Sequence, residues 1–250
     1  MLKLIMNRDI VFTTADKESC VPVVKKMIDL AHLARMNGVL ALEDVLAQEE
    51  NVFLKTAITL VVDGVDPVIT EHILSNLILA DDHKGTQLLE RLITAEGITA
   101  IQAGENPQVI AMRLYSILGE KYLPSFENTI RELLEKIAVK LRDKKATLES
   151  EPFEKLITGM GGRDLQLALS SITNSWTLGY ALYGCGFDLI CKVLDNLSQN
   201  MCVQLCEDIL IIENLSEHAV KEAQDEIVEI YQKQQNAGEI LPLLHCNKID

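Results

Sequence analysis

Apolar positions along this chain recur at three- and four-residue steps. From about Ser19 to Met36, one such stripe contains Val23, Val24, Met27, Ile28, Leu30, Ala31 and Ala34, the period of a helix face. Ser19 is the expected N-cap and Asn37-Gly38 the expected stop. A short helix follows from Val39 to about Gln48. Asn51 is placed to cap a third over Val52–Val62. The turn Asp63-Gly64-Val65-Asp66-Pro67 leads into a helix from Pro67 to Leu79, with proline at a favoured first position. After the polar loop 81–85, Thr86–Glu96 and Ile98–Ala103 read as a helix broken at Gly97. Gly104-Glu105-Asn106-Pro107 is a turn that starts a helix from Pro107 to Leu118.

Pro124-Ser125 marks another break. From Ser125 to about Lys145, Ile130, Leu133, Leu134, Ile137 and Leu141 form a narrow stripe on an otherwise charged helix. Residues 147–152 read as a linker. Beyond it the pattern predicts short helices over 153–158, 163–172, 175–183, 186–196 and 198–212, then a longer one from about Ser216 to Asn236, stopped near Gly238. The first eighteen residues are the least regular, with LKLIM and IVFTT reading as short strands or an arm. No sustained period-2 run competes elsewhere, and no 34- or 40-residue repeat stands out. The expected fold is all-α: two helical domains, 1–124 and 151–250, joined by a charged linker helix over 125–150.

Composition supports this. Apolar residues make up 48% of the 250 and aromatic residues only 4%, a balance that favours helices of good formers. Residues 151–250 hold 6 Lys+Arg against 15 Asp+Glu, and residues 1–150 hold 17 against 22. The shift agrees with a boundary near 145–152. The net charge of −14 excludes the basic face of a nucleic-acid binder and disfavours anionic membranes. No run approaches the roughly 18 apolar residues of a membrane span. The N-terminus lacks a secretory apolar core, so a cytoplasmic protein with reduced thiols is expected, without direct membrane insertion.

Candidate chemistry is sparse. Cys202 and Cys206 lie one turn apart, near Glu207 and His218, but lack zinc-site spacing, and buried helical thiols are common. Gly159-Met160-Gly161-Gly162 lacks the Lys-Ser/Thr and preceding strand of a phosphate loop. The five histidines form neither a zinc-protease motif nor a partner to a serine elbow. No cofactor, metal or catalytic residue is expected.

The informative stretch is Ala34–Pro67. Arg35 precedes Gly38, an apolar turn follows, and Glu43 closes it. Together with VVDGVDP (61–67) and AEGITAIQAGENPQVIAMRL (95–114), it resembles the cytoplasmic part of the MotA family, the stator subunit of the bacterial flagellar motor. The resemblance covers roughly residues 25–124. The membrane helices of that family have no counterpart in this sequence, which leaves nothing to carry protons.

The second half, through RDLQLALSSI (163–172), ALYG (181–184), DNLSQNMCVQLCEDIL (195–210) and EAQDEIVEIYQKQQNAGEI (222–240), resembles the C-terminal domain of the FliG family, the rotor switch protein. The first resemblance implies that Arg35 and Glu43 meet charged rotor residues. The second implies that Glu207 and Asp208 stand for the acidic part of a mixed charged row. Tyr183, Asn200 and Ser216 occupy positions where that family carries Lys or Arg, and the Met- and Phe-containing hinge motif is absent before Phe153.

The expectation is a non-enzymatic protein at the cytoplasmic stator–rotor interface, at the flagellar base. Arg35 and Glu43 would face a FliG-like rotor, and an acidic face at Glu207 and Asp208 a MotA-like stator. Both halves in one chain also leave intramolecular docking open. Two alternatives come from other classes: a helical scaffold without motor contacts and an enzyme with an unrecognised pocket.

Overall fold

The computed structural model describes residues 10–142, 150–172 and 174–240. The LKLIM segment, the 143–149 part of the expected linker, and His245 and Cys246 lie outside these. The described chain is all-α, with no strand.

The first helix, α1, runs Thr14–Asn37 and starts earlier than the pattern predicts. Thr13 and Asp16 form a capping box: the Thr13 backbone N–H donates to Asp16 Oδ2 at 2.9 Å, and the Asp16 N–H donates to Thr13 Oγ1 at 3.2 Å. Two orphan donors are thereby satisfied, so Pro22 falls inside the helix rather than near its start. Val39–Leu42 is a 3-10 turn and Glu43–Leu46 a single-turn helix, α2.

Next come α3 (Val52–Val62), α4 (Pro67–Ala80), α5 (Gly85–Gln102) and α6 (Pro107–Leu118). Asn51 caps α3 by accepting from the Leu54 N–H at 3.1 Å, and Asp66 caps α4. Gly97 does not break α5. It is buried in a continuous helix because a side chain there would strike Met27 on α1, and α1 and α5 are the most extensively packed pair.

A 3-10 turn (Glu120–Tyr122) leads into α7 (Leu123–Arg142). Pro124 sits in its first turn, where no intrahelical donor is needed. Ile130, Leu133, Ile137 and Leu141 form the buried stripe of α7. The chain divides into two compact units between Ile130 and Arg131, within α7.

The second unit continues with α8 (Glu151–Gly159), α9 (Gly162–Ser170), α10 (Ser175–Tyr183), α11 (Phe187–Leu194), α12 (Gln199–Ile211) and α13 (Glu217–Asn236). The helix α13 lies mainly along α10 and also packs on α8 and α9. Its buried Gln224 donates to the Ala181 carbonyl at 2.9 Å and accepts from the Ser150 N–H at 3.1 Å. One amide thus joins three segments.

Candidate functional site

In the first unit the candidate surface is the turn between α1 and α2. Gly38 has φ of +82° and reverses the chain, a conformation that costs glycine little. Leu42 is fully buried and anchors the turn. Leu40, 66% exposed, and Val39, 39% exposed, project from it. Glu43 is exposed at the start of α2. Arg35 lies at the C-terminal end of α1, where a cation complements the helix dipole.

Arg35 is half-buried. Its Nη1 donates to Asn106 Oδ1 at 2.8 Å across 71 residues of sequence. Asn106 occupies the N-cap position of α6, yet its side chain makes no cap bond. Pro107 follows and lacks an N–H, so one orphan donor is already removed. Next to Asn106, Arg113 bridges Glu105 and Glu96. Hydrogen bonding to Glu105, then to Glu96, holds the Arg113 guanidinium above its ordinary value against the effect of burial. Arg35 therefore braces the base of the turn, while Leu40 and Glu43 form its outer part. The two projecting apolar residues were not legible as exposed in a stretch that reads as an apolar turn.

The expectation of an exposed acidic face at Glu207 and Asp208 needs correction. They are 0% and 4% exposed. The helix α10 packs on α12, and at Gly179 its backbone comes near Asp208 and Ile212, where a Cβ would lie in van der Waals contact at 3.7 Å. Asp208 remains part of the wall of an open groove of about 230 Å³, lined also by Leu169, Ile172, Leu178, Met201 and Leu205.

The thiols lie beside that acidic pair. Burial, reinforced by Cys202, Cys191 and Glu207, pushes the Cys206 thiol up to about 12. Burial also raises Cys202. A protonated thiol is a poor nucleophile and metal ligand. His218 is exposed and lies 3.3 Å from Glu222. Among the described residues, no group of three or more His, Cys, Asp or Glu side chains is arranged to hold a metal ion.

Comparison with known families decides the second unit. The family model of the FliG C-terminal domain matches residues 128–241. This stretch is similar to the FliG C-terminal domain. The match begins inside α7, ahead of Phe153, and takes in most of a helix that the sequence pattern assigns to a linker. FliG-like domains are helical and non-enzymatic, and they work through protein contacts in the flagellar motor switch. No curated protein matches the chain. Among the described residues, no helix is long and apolar enough to cross a membrane.

Proposed function

We propose that this chain is a non-enzymatic adaptor of the flagellar motor, acting at the cytoplasmic stator–rotor interface. The observation that carries the reading is the FliG C-terminal match over residues 128–241. The stator-like sequence blocks between residues 25 and 124 add the second half, and the exposed tip of Leu40 and Glu43 supplies a contact surface. In this proposal the turn meets a FliG-like rotor, with Arg35 holding it in shape. A basic side chain of a MotA-like stator enters the groove beside Asp208, with Glu207 behind it.

Pull-down of the full chain with separate FliG and MotA cytoplasmic fragments tests this. Binding to at least one is expected at low salt, weakening as salt screens the charges. Retention of neither sinks the proposal. The burial of Glu207 and Asp208 favours a second reading, a helical interaction scaffold without motor contacts. A tagged copy that fails to gather at the flagellar base supports that alternative.

A further inference from the structure

The groove beside Asp208 lies within the second unit and is walled by α9, α10 and α12 through Leu169, Leu178 and Leu205. At about 230 Å³ it is smaller than the roughly 300–1,000 Å³ of a pocket for a drug-sized ligand. It suits a few side chains of an extended segment.

The chain itself brings such a segment to the groove. Near the end of α13, Gln234 Nε2 donates to Ser171 Oγ at 2.6 Å and to the Leu167 carbonyl at 3.4 Å. Ser171 is followed directly by Ile172, a groove residue. Gly238, with φ of +75°, then turns the chain. The Glu239 N–H donates back to the Gln234 carbonyl at 3.0 Å, which closes the helix. Ile240 is 2% exposed, so the chain is still held against this unit where the described residues end.

Leu-Pro-Leu-Leu follows, at 241–244. Pro242 has no N–H to continue a helix, and it biases Leu241 toward extended backbone. Residues 241–249 contain Lys248 and no Asp or Glu, in a half of the chain where acids outnumber bases by 15 to 6. The leucines match the apolar walls, and Lys248 matches the Asp208 carboxylate. At about 3.3 Å per extended residue, four residues cover about 13 Å and eight about 26 Å. Both can therefore be carried into a groove that begins beside Gln234. A tethered segment also needs little intrinsic affinity, because a short linker presents it at an effective concentration in the millimolar range.

We propose that residues 241–244 dock in this groove of their own chain, as a strap beside Asp208. A partner whose basic side chain is aimed at Asp208 then has to displace the strap, so the contact is autoinhibitory.

Cross-linking in the full chain tests this. Met201→Cys places a thiol on the groove wall at a position that is 50% exposed, and Cys246 lies two residues beyond Leu244. A short bis-maleimide should link position 201 to Cys246 within one chain, read by mass spectrometry as a linked peptide pair. Adding Leu243→Asp and Leu244→Asp should slow the linking about tenfold or more. Glu217→Cys, exposed at the other end of α13, should link to Cys246 at least as slowly as that double variant. Circular dichroism checks that each variant keeps its helices. Absence of a link to position 201 overturns the proposal. So does equal linking in the double variant or from position 217, or linking between two chains instead of within one. The measurement uses the chain alone, so its failure leaves the motor reading standing, and failed pull-downs leave the strap standing.

Discussion

Gly97 on α5 and Met27 on α1 are packed backbone against side chain: a Cβ at Gly97 would lie 2.9 Å from Met27 Cγ and 3.1 Å from Met27 Cβ. Alanine in a helix interior gains about 1 kcal/mol over glycine. Overpacking a filled core costs roughly 1–3 kcal/mol, and Met27 Cβ cannot swing aside as a side-chain tip can. The clash is therefore expected to win. Gly97→Ala should lower the urea midpoint, and Gly97→Val should lower it more. In a Met27→Ala background, which removes Cγ and Sδ but keeps Cβ, the cost of Gly97→Ala should shrink, since contacting residues couple. Equal cost in both backgrounds would show that the contact is not limiting.

Asp16 ties the start of α1 to the start of α5. Besides the capping box, its Oδ1 accepts from Thr86 Oγ1 at 2.7 Å. Hydrogen bonds from Thr13, then from Thr86, hold its carboxyl below the ordinary value of 3.8. The folded value is lower than the unfolded one, so the stabilisation is fully present above the unfolded value. It is lost as pH falls through the folded value. Thermal unfolding of the native chain and Asp16→Asn should differ at pH 7, and the gap should narrow as the pH falls below the ordinary value of 3.8. A gap that does not vary with pH would assign the effect to shape rather than charge.

Gln224 is fully buried and bonded at both ends of its amide. Gln224→Leu keeps the volume but leaves the Ser150 N–H without its acceptor. The expected loss is about 1–2 kcal/mol, read as a lower unfolding midpoint of the FliG C-terminal-like unit. Hydrogen exchange at the Ser150 amide should rise in parallel.

The two charges of the candidate turn should respond differently to reversal. Glu43→Lys removes an exposed charge and is expected to abolish rotor binding while changing stability by less than about 0.5 kcal/mol. Arg35→Glu removes the bond to Asn106 and should cost about 1–3 kcal/mol in addition. Titration calorimetry beside thermal unfolding separates the effects. Unchanged binding by Glu43→Lys counts against a docking role for the turn.

The fold was readable where local chemistry punctuates it. Asn51, Pro107 and Ser216 mark helix starts at or within one residue of those observed. The start of α1 was hidden because Thr13 and Asp16 cap it upstream of a proline that itself resembles a beginning. Gly97 read as a break because a sequence does not distinguish a weak helix position from one vacated for a neighbour. The site was less legible for the same reason. CEDIL places two acids beside apolar residues, and nothing local reveals that α10 packs against the helix that carries them. Arg35 could be singled out, but not its bond to a residue 71 positions away.

That bond also bears on portability. A peptide of residues 34–67 contains Arg35, Leu40 and Glu43 but not Asn106. The turn acquires its brace only once the chain has been synthesised through α6 and that helix has docked. Transplanting the segment into another protein would carry its letters without its geometry. A graft intended to compete for the same partner has to include the start of α6 as well.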